Sequence, residues 1–220
     1  MINFSFFVKN RRWHSALLVL ALVAVSGFLT GCASLRYYNV TDFDTVVVDP
    51  GHGGHDSGAS SRGRPRLLEK DVALDVGRRV GAKLRDAGFR VVMTRKDDTF
   101  IPLDQRAECS NTYRKSVFVS IHFNDSVRRG PHGAEVYHNR QGTWELAGRI
   151  EDFLSAMPGS ERRGVKTARY RVLRKSEGPA LLVECAFLSN PGDAKRAASA
   201  AWREEAASRI ARAIILQRRQ

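Results

Sequence analysis

The chain predicts an α/β fold: a single layered domain with a mostly parallel, twisted sheet flanked by helices. Three observations carry that expectation. Short apolar runs rich in β-branched residues occur at Val46-Val47-Val48, Val117-Phe118-Val119 and Leu181-Leu182-Val183, the pattern of strands buried on both faces of a parallel sheet. Stretches with helical spacing lie between them, as in layered α/β domains. With 220 residues, 43% of them hydrophobic, the chain can bury one substantial core, and neither a repeat nor a second domain is needed.

Residues 1–31 read as a targeting segment. Lys9, Arg11 and Arg12 precede an apolar run over residues 16–29 that holds no charge and closes on small residues, the layout of a signal peptide. The run is shorter than the ~20 residues a membrane-spanning helix needs. Leu29-Thr30-Gly31-Cys32 resembles the lipobox of bacterial lipoproteins, and by that resemblance Cys32 becomes the acylated first residue of the mature chain. Ala33 stands where inner-membrane retention would call for Asp, so the expected location is the cell envelope, on the outer membrane facing the periplasm. Residues 32–44 are then the lipidated cysteine and a short tether, and residues 45–220 the folded domain. Losing three cations and no acid takes the formal charge from +13 to +10. The basic balance of an exported protein favours anionic partners, a headgroup surface or an acidic wall polymer, and nucleic acid is not expected among them. Because the basic residues are scattered without interleaved aromatics, a merely solvated surface is the alternative.

The first strand covers residues 45–49 and runs into the loop Gly51-His52-Gly53-Gly54-His55-Asp56-Ser57-Gly58. A helix follows over residues 68–86, stopped by Gly88. Strands are expected at 89–94 and 117–122, with a short helix at 102–111 between them. Residues 133–138 alternate weakly and read as an edge strand, 144–155 have helical spacing, and 170–173 and 180–184 read as strands. Residues 194–216 form a long helix packed through Ala201, Ile210, Ile214 and Ile215. Cys109 and Cys185 fall in a helix and after a strand, which predicts two buried thiols rather than a disulfide.

Three strands end on groups that hold metal or move protons: His52, His122 and Glu184. In open α/β sheets ligands gather beyond the carboxyl ends of the strands, so these side chains should converge. Glu69 lines up at helical spacing with Ala73, Val76 and Val80, on the core-facing stripe. A carboxylate so placed takes up a proton or finds a cation; pairing with an arginine or the helix dipole is the alternative. Two imidazoles and a carboxylate with an open fourth position form the ligand set of catalytic zinc. The glycine loop lacks the endings of a P-loop or a dinucleotide site, so its glycines serve a tight turn that aims His52 inward. Asp49 and Asp56 are expected to orient an imidazole, and His55, His132 and His138 to face solvent. Glu184 lies deep on a central strand, as a catalytic acid or as the partner of Arg174.

Those residues resemble the zinc-dependent N-acetylmuramoyl-L-alanine amidases that cut bacterial cell wall. The matching pieces are Val48-Asp49-Pro50-Gly51-His52-Gly53-Gly54, Glu69-Lys70, Met93-Thr94-Arg95 with Asp98, Leu103 and Arg106 beyond it, Ser120-Ile121-His122-Phe123-Asn124, Gly133-Ala134-Glu135-Val136-Tyr137, Val172-Leu173-Arg174, and the run from Pro179 through Glu184 to Asn190. The resemblance implies one zinc ion per chain on His52, Glu69 and His122, with Glu184 as the catalytic carboxylate. It implies cleavage of the amide between muramic acid and L-alanine, peptidoglycan as partner, and a membrane bound through Cys32. A monomer is expected. Phe123 stands where the family usually has a small residue and Ser110 where Ala is usual, departures expected to narrow the groove or alter substrate preference. The stretch from Tyr137 to Arg171 has room for one helix only, so no long plugging insertion is expected. Two other readings compete: a wall-binding lipoprotein that cuts nothing, and a zinc peptidase acting within the stem peptide.

Overall fold

The structure, a computed structural model, describes residues 40–64 and 66–218. The expected signal peptide and Cys32 lie outside the described residues, as does most of the tether. Six strands form one sheet in the order β2-β1-β3-β6-β4-β5. They are β1 (Thr45–Pro50), β2 (Arg90–Met93), β3 (Ser116–Asn124), β4 (Ala134–His138), β5 (Arg162–Thr167) and β6 (Ala180–Phe187). β2, β1, β3 and β6 run parallel; β4 pairs antiparallel with β6 and parallel with β5. The helices are α1 (Glu69–Asp86), α2 (Leu103–Asn111), α3 (Trp144–Ser155), α4 (Arg171–Lys175), α5 (Pro191–Ala198) and α6 (Ala200–Arg218).

Alternation along the strands sorts the side chains into two layers. Val46, Val48, Val117, Val119, Ile121, Leu181 and Val183 enter the larger core, to which α1, α3 and α6 bring Val76, Val80, Ile150 and Ile210. Val47, Phe118, Ala180 and Leu182 face the other way, onto Val172 and Leu173 of α4. A layered α/β domain results, as the sequence predicts. Its packed part begins before residue 45, because Val40 and Phe43 are buried in the larger core and Phe43 stacks on Phe89 at 5.7 Å.

Several local expectations are corrected. Residues 170–173 are not a strand: α4 spans Arg171–Lys175 and ends with the Ser176 hydroxyl donating to the Val172 carbonyl at 2.7 Å. Two adjacent apolar residues cannot distinguish a strand from one helical turn. The strand at 134–138 is interior rather than at the edge, because β5 covers it. β5 escapes sequence reading because Arg162-Arg163-Gly164-Val165-Lys166-Thr167 carries one large apolar side chain. The expected long helix is two, broken at Ser199, whose backbone is extended (φ −78°, ψ 123°). The first starts earlier than expected, where the Asn190 side chain accepts from the Gly192 and Asp193 N–H groups at 2.9 and 3.0 Å, a side-chain N-cap. Ala201 is exposed rather than packed, while Ile210 and Ile214 are fully buried.

Candidate metal centre and catalytic groove

Three chain segments bring His52, Glu69 and His122 together at the carboxyl end of the sheet. β1 delivers His52 just beyond Pro50, in a left-handed conformation with φ 60°, which costs energy for a residue other than Gly. β3 delivers His122, and Glu69 opens α1 with 4% of its surface exposed. The Glu69 carboxylate meets His52 Nε2 at 3.0 Å and His122 Nδ1 at 2.8 Å, and accepts from the backbone N–H of Ala59 (2.8 Å) and Phe123 (3.0 Å). Burial alone would raise the Glu69 pKa, but the two imidazoles outweigh it and hold the carboxyl well below its usual range. For His52, burial pulls downward while Glu69 and Asp56 pull upward, with a net rise. Among the described residues no arginine pairs with Glu69; it lies in the first turn of α1, where the helix dipole also favours a carboxylate, and its partners are the two imidazoles.

The chemistry of this donor set fits a divalent metal. One donor atom from each of the three side chains lies within 4.8 Å of the others. A tetrahedral ion with ligand distances near 2.0–2.2 Å sets donors roughly 3.3–3.5 Å apart, so small shifts suffice. Asp56 Oδ2 sits 2.9 Å from His52 Nδ1, which leaves Nε2 to face the site.

The supports were only partly visible in the sequence. A Cβ on Gly51 would lie 2.3 Å from the His122 ring, and one on Gly58, itself at φ 62°, would lie 2.5 Å from Glu69 Oε2. Both glycines make room for the donors rather than only a turn. Arg106, 2% exposed, donates to Asp49 Oδ1 (2.9 Å) and to the carbonyls of Pro50 (2.7 Å) and His52 (2.7 Å). Arg95 donates to the carbonyls of Pro50 (2.9 Å), Gly51 (2.7 Å) and Lys70 (2.7 Å). These guanidiniums hold the turn that carries His52; in the sequence they stood out only as parts of the resemblance. Asp49 does not orient an imidazole as expected. It accepts from Arg106, from Thr94 Oγ1 at 2.6 Å and from Ser120 Oγ at 2.7 Å.

Glu184 stands beside His122, its register partner across the parallel β3–β6 pair, so both side chains leave the same face of the sheet. It is 7% exposed, and its Oε2 has no hydrogen-bond partner among the described residues. Exposed Arg174 does not pair with it. Burial first, and then the charges of Glu69 and Glu135, push the Glu184 pKa well up. Across the antiparallel pair, Glu135 faces Glu184 and is itself met by Lys166 Nζ and by Asn124 Nδ2. All four predicted residues line one groove of about 730 Å³, with Phe100, Leu103 and Tyr170 exposed at its rim. Phe123 is buried against the core, its ring 6.3 Å from that of Trp202, and also lines the groove.

Other expectations divide. His55 is exposed and His132 half-buried, but His138 is buried against the expectation, with Nδ1 2.8 Å from the Arg140 carbonyl. Thr143 and Trp144 pack against His138, the Thr143 hydroxyl 3.1 Å from Nδ1 and the Trp144 ring 5.5 Å from the imidazole. Cys109 and Cys185 are both free thiols, Cys185 buried and Cys109 half-buried. No described helix is long and apolar enough to cross a membrane.

Residues 46–216 match the family profile described as N-acetylmuramoyl-L-alanine amidase. Among relatives, the N-acetylmuramoyl-L-alanine amidase LytC of Bacillus subtilis is 39% identical over 76% of this chain and 34% of its own length. An uncharacterised protein of the same species, YqiI, is 34% identical over 92% of this chain and 95% of its own. The chain thus spans about a third of LytC and nearly all of YqiI. Among solved structures, the N-acetylmuramoyl-L-alanine amidase AmiC2 of Nostoc punctiforme superposes with a TM-score of 0.76 at 39% identity, covering 80% of this chain and 97% of that one. The chain belongs to the N-acetylmuramoyl-L-alanine amidase family.

Proposed function

We propose that this protein hydrolyses the amide bond between N-acetylmuramic acid and L-alanine in peptidoglycan, using one zinc ion held by His52, Glu69 and His122 and Glu184 as the catalytic carboxylate. One observation carries the reading: two imidazoles and a buried carboxylate converge beside a second buried carboxylate with an unpartnered oxygen, all in one groove. Membership of the amidase family supports the choice of bond.

Zinc bound there would supply Lewis acidity, polarising a carbonyl and acidifying water. The protein's own groups do the rest. Glu184, whose burial makes it basic, takes a proton from the attacking water as the new carbon–oxygen bond forms. It returns that proton to the leaving nitrogen as the carbon–nitrogen bond breaks, so L-alanine departs as a free amine. Asp56 holds the His52 ring, and Arg95 and Arg106 keep the turn beneath it from relaxing.

The signal segment and Cys32 support attachment to the outer membrane with the domain in the periplasm. The segment from Tyr137 to Arg171 is taken up by one short helical turn, α3 and β5, which supports an enzyme that needs no activator. We infer a monomer without nucleic-acid partners.

Mass analysis of material released from purified sacculi tests the reading. An amidase frees intact peptides with N-terminal alanine, a stem peptidase frees shortened ones, and a wall-binding protein frees nothing. Either of the last two results overturns the proposal. Partition of Cys32→Ser protein into the membrane fraction would overturn the anchor.

A further inference from the structure

We propose that a second, cationic pocket beside the catalytic groove binds the carboxylates of wall peptides and holds the polymer while its amide is cut. This rests on the amidase reading for the identity of the polymer. The pocket holds about 400 Å³ and is walled by Arg62, Arg64, Arg129 and Lys195 over a floor that includes Leu188 and Pro191; none of its lining residues is acidic.

Three features argue for a ligand rather than a solvated face. First, among the described residues none of the four cations forms an ion pair. Arg79, Arg171 and Arg209 are paired with carboxylates, while isolated surface arginines such as Arg85 and Arg114 form no ion pair among the described residues. What sets the pocket apart is four unpaired cations around one cavity with no acidic lining. Like charges gathered without counter-charges repel one another, which an anionic ligand relieves. Second, the pocket is anchored. The Arg62 guanidinium donates to the Ser126 and Val127 carbonyls at 3.2 and 3.5 Å, and the Ser126 N–H donates to Ser189 Oγ at 2.9 Å. Third, it adjoins the groove. Ala59 and Asp125 line the catalytic groove, while Ser61 and Arg129, a few residues on along the same two loops, line the cationic pocket. An extended polymer can therefore occupy both.

The N–H groups of Gly192 and Asp193 at the start of α5 are already taken by Asn190. Recognition thus falls to the side chains, through charge-assisted bonds to carboxylate. Residues 40–44 meet the sheet at its other end, where the Asp44 carbonyl accepts from Arg90 at 3.0 Å.

Binding of full-length Glu184→Gln protein to sacculi in mild detergent tests the proposal without turnover. Replacing Arg64, Arg129 and Lys195 by Gln should weaken binding about tenfold at low salt. The matched triple Arg85→Gln, Arg90→Gln, Arg114→Gln, which removes equal charge at the opposite end of the sheet, should change it little. Amidating the sacculus carboxylates chemically should erase the difference between parent and pocket triple. With Glu184 restored, the pocket triple should keep the parent's rate on a short soluble muramoyl-L-alanine fragment. Equal loss in both triples, a difference that survives amidation, or loss seen only with anionic lipid vesicles overturns the site. Because binding is read separately from cleavage, a protein that binds as described yet releases no peptide overturns the amidase reading and leaves the pocket standing.

Discussion

At the scale of single residues, two buried carboxylates near one another have their pKa values pushed in opposite directions by their surroundings. Glu69 is surrounded by donors and stays ionised; Glu184 has an unpartnered oxygen and resists ionising. For Glu184 the sign is clear. Its folded pKa lies above the unfolded value, so the protonated folded state carries no penalty at low pH and stability is lost as pH rises between the two values. In chelated protein, Glu184→Gln should therefore raise stability at pH 8 by more than about 1 kcal/mol, with the gain vanishing toward pH 4. Urea titrations at both pH values check this, and an equal gain at each would refute it. The same substitution should abolish cleavage while leaving zinc content intact. Arg106 supplies the reverse case: Arg106→Met removes one partner of a buried pair and strands the Asp49 charge, which should cost about 3–5 kcal/mol. A loss below 1 kcal/mol by chemical denaturation would show that Asp49 is satisfied without it.

At the scale of elements, α1 and α6 are joined by an ion network as well as by apolar packing. Asp75 accepts from Arg79 at 2.9 Å and from Arg203 at 2.5 Å, while Glu204 accepts from Arg79 at 2.6 Å and pairs with Lys83. Burial pulls the Asp75 pKa up, but the two guanidiniums pull harder and hold it below its ordinary value. A depressed carboxylate stabilises the fold above the unfolded pKa, and that stabilisation is lost as pH falls through the folded value. The network is half-exposed and screened, so Asp75→Asn should cost on the order of 1 kcal/mol at pH 6 and low salt, less at high salt, and nothing near pH 2. A cost independent of salt and pH would assign it to packing instead. Elements also mark the limit of what the sequence discloses. Strands β1, β3 and β6 were legible because burial on both faces writes an unbroken apolar run, and α1 because its stripe has helical period. β5 was hidden because its covering role asks little of its side chains, and α4 because one turn is too short for a period. The four site residues were legible since each closes an apolar run or opens a helix, although β3 and β6 run on past His122 and Glu184 to Asn124 and Phe187 rather than ending on them as expected. Gly51, Gly58, Arg95 and Arg106 act through space that no spacing rule encodes.

At the scale of the whole molecule, the donors come from three points far apart in sequence, Glu69 from α1 and the imidazoles from beyond β1 and within β3. The unfolded chain cannot hold them together, so metal bound there should stabilise folding through linkage. For a ligand that binds only the native state, free ion at a hundred times its dissociation constant adds about 2.7 kcal/mol. In a domain of this size that is roughly 5–11 °C in Tm. Chelation should thus lower Tm and abolish cleavage together, and added zinc should restore both. His52→Ala and His122→Ala should each remove the zinc-dependent rise, whereas Glu184→Gln should retain it. Calorimetry with and without chelator reads this without any substrate. A Tm indifferent to zinc in the parent protein would mean that His52, Glu69 and His122 form a hydrogen-bonded cluster and no metal site, and the chemistry assigned to the groove would fall with it.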